Sequence, residues 1–240
     1  MHLAIPGDTM PLDDRTKTLL RQIELFSDLG LEEISAVAQH VALREFQKGE
    51  VIFHAEDTNK FMYAVLRGEV KVFQTTEEGK EAILAFHCTG DTFGELSLID
   101  QLANPATVCA METSIVAIIA RHDFMEIIHN NPKVLNKLLL TLTTRLRNAW
   151  DQNRMLHFKD ATRRIRTLLC NLAETRGQRQ HEDVVVDMRL THQLIADMTG
   201  LTRETVTRVL DKWKREGQID TDQNRHLVIK KVFFEENGIV

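Results

Sequence analysis

The chain has 240 residues, of which 43% are hydrophobic and 27% are charged, and its formal net charge is −5. This length fits one large domain or two of ordinary size, and the composition is typical of a soluble globular protein. A negative overall charge does not by itself suggest a nucleic-acid partner, so evidence for one has to come from the placement of particular residues.

No run of the sequence approaches the ~20 apolar residues that a membrane-spanning helix needs. The N-terminal segment MHLAIPGDTMPLDD lacks the basic start and apolar core of a secretion signal. Cys88, Cys109 and Cys170 are odd in number and widely spaced, which fits a reducing compartment. We therefore expect a cytoplasmic protein with no membrane partner. A thiol switch between Cys88 and Cys109 stays open beside the commoner case of inert cysteines.

Residues 13–30 and 31–40 predict two short amphipathic helices. From residue 41 to about 120, short β-rich runs alternate with turn glycines, which predicts a small all-β sandwich or barrel. The runs are 51–53, 61–66, 70–73, 82–86, 107–109 and 114–119, and the glycines are Gly49, Gly68, Gly79, Gly90 and Gly94.

After residue 121 the periodicity becomes helical. Residues 122–129 predict a short helix, and Pro132 suits the first position of a longer one. Along this longer helix a 4-3-4-3 spacing marks a heptad seam formed by Leu135, Leu139, Leu142, Leu146, Ala149, Asn153 and Leu156. A seam at the edge of a domain usually pairs with its own copy, so we expect a homodimer, with Asn153 fixing the register. A core helix within one chain is the alternative.

The last part of the chain follows a boundary at residues 158–160. Asp160 can cap a helix over 161–174, which is followed by a polar loop at 175–183 and an apolar run at 184–186. Residues 191–219 then predict a helix-turn-helix, and residues 226–230, after a turn at 222–225, predict a β-hairpin wing.

In the helix-turn-helix, the first helix has an apolar face of Leu190, Leu194, Ile195 and Met198. Gly200 can adopt the left-handed conformation that ends such a helix, and Thr202 is a good N-cap for the next one. The second helix separates an apolar stripe from a polar face. The stripe is Val206, Val209, Leu210 and Trp213, and the polar face is Arg203, Glu204, Thr207, Arg208 and Asp211.

The polar face suits the reading of base edges in a DNA major groove. Arginine can bind guanine O6 and N7 together, and glutamate can accept from cytosine N4. The charges alone would equally fit an ordinary solvated face. Its position on the second helix of a helix-turn-helix favours DNA recognition.

The order of parts resembles the bacterial cyclic-AMP receptor protein and fumarate-nitrate regulator family over residues 20–232. The motifs that carry the resemblance are LRGEVKV at 66–72, GDTFGELSL at 90–98 and TRETVTRVL at 202–210. The resemblance implies an α+β fold. Residues 1–130 would form a cyclic-nucleotide-binding-like β-roll (jelly roll), 131–157 a long dimerisation helix, and 158–240 a C-terminal winged helix-turn-helix.

The family's base-reading Arg-Glu-x-x-x-Arg pattern falls on Arg203, Glu204 and Arg208, which implies an inverted repeat of a TGTGA-like half-site. Thr207 stands at an intermediate reading position. The positions that hold DNA phosphates in the family are Thr162, Thr191, His192, Gln193, Thr202 and Thr205. Thr202 and Thr205 have local capping roles as an alternative.

The resemblance also implies an effector pocket, and here the sequence departs from the family pattern. The pocket positions are Gly94, Glu95, Leu96, Asn104, Pro105, Ala106, Arg145, Ala149 and Trp150. Cyclic-AMP binders hold the cyclic phosphate with an Arg-Ser or Arg-Thr pair where this chain has Asn104 and Pro105. Proline has no backbone donor. A charge-assisted hydrogen bond contributes roughly 1.5–3 kcal/mol, so the loss of one weakens binding by ~10-fold to ~100-fold.

Ala149 and Trp150 replace the Thr-Ser pair that approaches adenine in the family. The indole of Trp150 would plug the pocket or stack on a different planar ligand, and we favour the plug. Glu95 is expected to pair with Arg145. Cyclic AMP in the familiar pose is therefore not expected to bind, whereas a cyclic nucleotide in another pose, cyclic AMP or cyclic di-GMP, stays open.

Other sensors of the family are not supported. An iron-sulfur sensor needs a cysteine cluster near the N-terminus, and no cysteine precedes Cys88. A haem sensor would need Cys and His at the positions of Gly94 and Leu96. His87 beside Cys88 does not make a metal site.

We therefore expect a homodimeric transcription regulator whose partners are double-stranded DNA, its own copy and RNA polymerase, which relatives touch near residues 175–183. A regulator that needs no ligand is a variant of this hypothesis, and a sensing module with a protein partner as output is an alternative. An enzyme is not expected, because Ser97 lacks a nucleophile-elbow context and no HExxH motif or phosphate-binding loop occurs.

Overall fold

The computed structural model describes residues 18–58 and 60–235. The chain divides into two compact units, Met1–Leu146 and Arg147–Val240. The division falls inside the long helix, so the predicted limits of a separate dimerisation segment at 131–157 stay a prediction. Within the described ranges, no helix combines the length and the apolar character that crossing a membrane requires.

The first unit is built on two four-stranded antiparallel sheets, with strand orders β1-β8-β3-β6 and β2-β7-β4-β5. The strands are β1 (Val41–Phe46), β2 (Val51–Phe53), β3 (Phe61–Arg67), β4 (Glu69–Thr75), β5 (Glu81–Cys88), β6 (Thr92–Phe93), β7 (Thr107–Ala110) and β8 (Ser114–Ala120). The predicted β-rich region is therefore confirmed. Strands β1 and β6 were not predicted, because β1 carries the charged pair Arg44-Glu45 and β6 has only two residues.

Two apolar clusters hold this unit together. Residues facing the space between the sheets, such as Phe46, Val70 and Val116, form one cluster. The other lies where helices cover the outer face of the first sheet, and it includes Phe26 and Phe124. Strand β3 contributes to both clusters, which explains why Phe61 to Leu66 are all buried.

The helices of this unit are α1 (Leu31–Ala38), α2 (Glu95–Asp100) and α3 (Arg121–Asn130), with a 3-10 turn at Glu24–Phe26. Helix α4 (Pro132–Leu156) begins in this unit and continues into the second. The continuous helix predicted for 13–30 is wrong for the described part, and residues 13–17 lie outside it. Ile23 has extended backbone angles (φ −68°, ψ 123°) that break the helix. The reason is burial of Leu20, Ile23, Leu25, Phe26 and Leu29, which cannot all lie on one helical stripe.

The second unit contains three core helices and a four-stranded antiparallel sheet of order β11-β12-β10-β9. Its elements after α4 are α5 (Ala161–Arg176), β9 (Gly177–Gln180), β10 (Asp183–Val186), α6 (His192–Thr199), α7 (Arg203–Arg215), β11 (Ile219–Thr221), β12 (Leu227–Ile229) and α8 (Lys231–Glu235). The predicted wing is confirmed, since β11 and β12 form a hairpin.

The polar loop predicted at 175–183 is wrong. Its residues continue helix α5 to Arg176 and then form the hairpin β9–β10, in which Gly177 faces Val186. Strand β9 lies at the sheet edge, so its side chains Gln178, Arg179 and Gln180 stay exposed. An edge strand of this kind carries no apolar alternation, and for that reason the sequence pattern did not reveal it.

Candidate nucleic-acid interface and effector region

The helix-turn-helix is fixed by local hydrogen bonds at each helix end. Thr191 caps α6, with its Oγ1 accepting from the Leu194 amide at 3.1 Å. Gly200 has the expected left-handed conformation (φ 63°, ψ 36°), and Thr202 caps α7 by accepting from the Thr205 amide at 3.3 Å. The predicted turn chemistry is therefore confirmed.

Helix α7 shows the two faces that the sequence predicts. The apolar stripe Val206, Val209, Leu210 and Trp213 is buried. On the opposite side Thr207 is half-buried and the charged residues are exposed. These side chains line one shallow hollow, formed by Arg203, Glu204, Thr207, Arg208, Asp211 and Arg215. Sequence reasoning missed Arg215, although its spacing of four from Asp211 places it on the same face.

The carboxylate of Glu204 is held in its ionised form. Its own backbone N–H donates to it, the Thr202 hydroxyl donates as well, and the charge of Arg203 adds a smaller effect. Together these interactions place the pKa of Glu204 below its ordinary value of 4.5. The face therefore offers an acceptor between two guanidinium donors.

Several of the residues predicted to contact DNA phosphates already make hydrogen bonds within the protein. The Thr191 and Thr202 hydroxyls serve as helix caps, and the Thr205 hydroxyl lies 3.1 Å from that of Thr202. The alternative local role of Thr202 and Thr205 is thus present.

Gln193 Nε2 donates to Asp197 at 2.7 Å on the exposed side of α6. At the start of α5, the Thr162 amide donates to the capping carboxylate of Asp160 at 2.9 Å.

One contact was not anticipated. His192 Nδ1 and Thr207 Oγ1 lie 2.8 Å apart, within hydrogen-bonding distance. This contact links a predicted phosphate residue on α6 to a predicted base-reading residue on α7.

In the first unit, the effector-region prediction centres on the start of α2, where Gly94 (φ 88°) precedes Glu95. Glu95 is buried, and its Oε1 accepts from the Arg145 guanidinium at 2.7 Å. Arg145 also donates to the Thr92 carbonyl. The expected ion pair is therefore present. The other oxygen, Oε2, is buried and has no hydrogen-bond partner among the described residues.

Asn104 holds its loop in place through hydrogen bonds of its side chain and backbone. Its Oδ1 accepts from the Ser97 hydroxyl at 2.6 Å, and its Nδ2 donates to the His54 carbonyl at 3.3 Å. Its backbone exchanges hydrogen bonds with residues 56 and 57. The neighbouring Pro105 carbonyl accepts from Gln74 Nε2 at 2.8 Å. The side-chain and backbone groups of Asn104 are thus engaged in hydrogen bonds within the protein.

The remaining effector positions differ in exposure. Ala106 is buried, Leu96 and Ala149 are exposed, and the Trp150 indole is 63% exposed. The assignment of Trp150 as a plug stays a prediction.

The cysteines do not favour the thiol switch. Cys88 lies on β5 and Cys109 on β7, and these strands flank β4 on opposite sides. Strands two positions apart are separated by about 9.6 Å, beyond the ~7 Å between Cα atoms that a disulfide spans. Burial also raises the pKa of the Cys109 thiol, which lowers its thiolate fraction.

Helix α4 displays the predicted seam on its surface. Leu135, Leu139, Leu146 and Leu156 are between 41% and 54% exposed, whereas Val134 and Leu138 on the adjoining face are buried in the first unit. The seam residue Leu142 is partly buried and packs against the core of the first unit, whereas these four seam leucines remain largely in water.

Known proteins match both units. Residues 43–131 match the cyclic nucleotide-binding domain, and residues 163–232 match the Crp-like helix-turn-helix domain. The chain is 32% identical over 195 residues to the cyclic AMP receptor protein of Thermus thermophilus, covering 81% of this chain and 87% of that protein. It is 29% identical over 172 residues to the fumarate and nitrate reduction regulatory protein of Yersinia pestis, covering 72% of this chain and 68% of that protein.

The fold has counterparts among solved structures. That of FixK2 from Bradyrhizobium japonicum gives a TM-score of 0.70 at 23% identity, covering 82% of this chain and 96% of that one. Together with the α+β architecture, the long helix and the DNA-binding winged helix-turn-helix, these similarities identify the family. The chain belongs to the bacterial transcription regulators that include the cyclic AMP receptor protein and the fumarate and nitrate reduction regulatory protein.

Proposed function

We propose that the chain is a homodimeric, sequence-specific transcription regulator of the cytoplasm that reads a TGTGA-like inverted repeat. The observation that carries this proposal is the exposed face of α7, where an ionised Glu204 lies with Arg203 and Arg208 on one hollow surface. Bidentate arginine contacts select guanine, and the carboxylate selects cytosine N4. These are the base contacts that a G·C-containing half-site needs.

Dimerisation through the α4 seam would supply a second recognition helix for the second half-site. Two recognition helices enter successive major grooves on one DNA face when they lie ~34 Å apart, and a two-fold axis makes their half-sites an inverted repeat. The exposed leucines of α4 support this arrangement, because a leucine stripe left in water is unfavourable in a monomer.

Phosphate contacts would fix the register of the complex. The first turn of α6, with the side chains of His192 and Gln193, is suited to a phosphate oxygen. Since the hydroxyls of Thr191 and Thr202 cap their helices, we assign their contribution to orienting the helix ends.

The effector pocket is proposed to reject cyclic AMP in the familiar pose. Asn104 and Pro105 support this, because they supply no cation and the polar groups of Asn104 hold the loop. The simplest consequence is a regulator that binds DNA without a ligand. Glu95 Oε2 has no hydrogen-bond partner in the part of the chain that the structure describes. This favours one second candidate, a cyclic nucleotide in another pose that donates a hydroxyl or amino hydrogen to this oxygen. RNA polymerase is proposed as the protein partner of the DNA-bound dimer.

Selection of duplexes from a random library tests the DNA proposal. The purified protein should enrich an inverted repeat of a TGTGA-like half-site. The Arg203→Ala variant should lose preference at one base pair per half-site, while Lys212→Ala, on the same helix but outside the hollow, should enrich the unchanged motif. Enrichment of no motif, or of the same motif by Arg203→Ala, would contradict the assignment.

Isothermal titration calorimetry tests the effector proposal separately. Cyclic AMP, cyclic GMP and cyclic di-GMP are each titrated into wild type and Glu95→Gln. No saturable binding is expected for a ligand-independent regulator. Binding of cyclic AMP at micromolar concentration would overturn the interpretation of Asn104 and Pro105, and binding of another nucleotide that Glu95→Gln weakens would establish the second candidate.

A further inference from the structure

The contact between His192 and Thr207 joins the two helices of the DNA-binding motif at the reading face. His192 is the first residue of α6, and Thr207 lies in the second turn of α7, flanked by the exposed Arg203 and Arg208. Nδ1 and Oγ1 are 2.8 Å apart, and both side chains are half-buried. The histidine ring therefore restricts the Thr207 hydroxyl before any DNA arrives.

Only one hydrogen can lie between these two atoms. If Nδ1 carries it, the Thr207 hydroxyl hydrogen is free to point at an acceptor on a base. If Nδ1 is bare, the hydroxyl donates to the ring, and Thr207 offers only oxygen lone pairs outward. A neutral imidazole has a single N–H, so the partner of Nε2 decides which arrangement forms.

We propose that His192 is a positioning residue that fixes Thr207 as a hydrogen-bond acceptor toward the bases. The proposal rests on the proposed function, in which His192 faces a DNA phosphate. A phosphate oxygen accepts hydrogen bonds, so in the neutral imidazole it favours the tautomer with hydrogen on Nε2, which leaves Nδ1 bare. Nδ1 then accepts from the Thr207 hydroxyl.

The consequence is a base preference that neither residue would set alone. In the major groove, adenine N6 and cytosine N4 are the exocyclic donors, whereas guanine O6 and thymine O4 accept. An acceptor-only Thr207 favours a base pair that places adenine or cytosine opposite it. A freely rotating hydroxyl would either donate or accept and would discriminate less.

A competition assay against every single-base-pair variant of the selected half-site tests this inference. Thr207→Val, which keeps the shape and removes the hydroxyl, first identifies the base pair that Thr207 reads. At that position the wild type should prefer adenine or cytosine facing Thr207 by about 2- to 10-fold, the range of one neutral hydrogen bond.

Two substitutions of His192 separate its two nitrogens. His192→Asn places a carbonyl oxygen near the position of Nδ1 but does not reach as far as Nε2, so it should keep the base preference and bind all sequences more weakly. His192→Gln extends toward Nε2, so it should keep the overall affinity and lose the preference at the Thr207 position. Gln193→Ala, from the same turn of α6, is the matched control and should weaken all sequences alike.

The outcomes are distinguishable. The inference is overturned if Thr207→Val changes no base preference, if guanine or thymine is preferred there, or if Asn and Gln variants both change affinity uniformly. In each of these cases, the base preferences at the positions read by Arg203 and Arg208 still test the proposed function. If the wild type shows no sequence preference at any position, the proposed function fails together with the inference. Thermal melting of each variant confirms that it is folded before its profile is interpreted.

Discussion

Gly68 shows how one residue fixes the path of the chain in the first unit. It joins β3 to β4 with φ +94°, a conformation that L side chains rarely adopt. An added Cβ would lie 2.4 Å from Ser114 Oγ and 2.9 Å from Ser114 Cα. The glycine of the LRGEVKV motif is therefore required by both the backbone conformation and the close approach of β8.

We predict that Gly68→Ala destabilises the first unit by at least about 2 kcal/mol, because backbone strain and a clash with backbone atoms add together. Gly79→Ala is the control, since Gly79 also has a positive φ (+76°) but has no atom within 4 Å of the added Cβ. Gly79→Ala should lower the free energy of unfolding by about 1 kcal/mol. Urea unfolding of both variants checks this prediction, and equal costs would contradict the role of Ser114.

Asp183 gives a pH-dependent prediction in the second unit. Lys230 Nζ donates to its carboxylate at 2.8 Å, and this hydrogen bond is the main reason that the pKa of Asp183 lies below its ordinary value of 3.8. A carboxyl whose pKa is lower in the folded state contributes stability above its unfolded pKa, and that contribution is lost as the pH falls through the folded pKa.

Wild type should therefore be more stable than Asp183→Asn at pH 6, and the difference should shrink as the pH drops below about 4. Unfolding of both proteins by urea across this range measures the difference. A difference that is constant with pH would show that the pair with Lys230 contributes nothing through its charge.

At the scale of single elements, α4 carries different residues on adjacent faces. Val134, Leu138 and the partly buried Leu142 pack into the core of the first unit, while the other leucines of the seam remain exposed. Fully burying an exposed leucine contributes about 1.5–3 kcal/mol, so burial of the exposed half of several leucines together favours association.

We predict that the double substitution Leu139→Lys and Leu146→Lys makes the protein a monomer without unfolding it. Both positions are about half exposed in the single chain, so a lysine there can reach water. Leu31→Lys is the control, because Leu31 is 72% exposed on α1 and does not belong to the seam. Sedimentation velocity distinguishes the two variants, and a seam variant that stays dimeric would place the interface elsewhere.

The ion pair between α4 and α2 is the second prediction at this scale. Arg145→Ala leaves Glu95 buried without its cation, so we expect a loss of about 3 kcal/mol in the stability of the first unit. Lys133→Ala removes another ion pair of α4, to Glu33, but both of its members are more than a third exposed. Its cost should be below ~1 kcal/mol. Chemical denaturation measures both, and similar costs would show that burial of Glu95 is unimportant.

Elements with a strong local pattern could be predicted from the sequence, and those defined by distant contacts could not. The two faces of α7 follow directly from the spacing of Val206, Val209 and Trp213. Hairpin β9–β10 was missed because its edge strand is polar and its turn residue His181, with φ 59°, carries no glycine signal. The break at Ile23 likewise depends on burial against the sheet.

The same distinction applies to the candidate sites. The sequence shows that Asn104 and Pro105 stand where the family has an Arg-Ser pair. It does not show which hydrogen bonds Asn104 makes, because its partner His54 is 50 residues away in the chain. The contact of His192 with Thr207 also depends on the packing of α6 against α7. Sequence therefore identifies the residue types of a site, whereas their hydrogen-bond partners require the fold.

For the whole molecule, the net charge of −5 means that affinity for DNA has to come from a local surface. Phosphate contacts release counterions, so binding should weaken steeply as salt rises, whereas base discrimination should persist. Selectivity at moderate salt is for this reason a better test of the reading face than affinity alone.

The most direct measurement is a fluorescence-anisotropy titration of the purified protein onto a TGTGANNNNNNTCACA duplex and a scrambled duplex, without any added nucleotide. We predict selective binding of the repeat, with selectivity reduced by Arg203→Ala by roughly 10-fold or more, as expected for the loss of a bidentate base contact. Equal binding of both duplexes, unchanged when cyclic AMP, cyclic GMP or cyclic di-GMP is added, would contradict the assignment of α7 as the reader of this sequence.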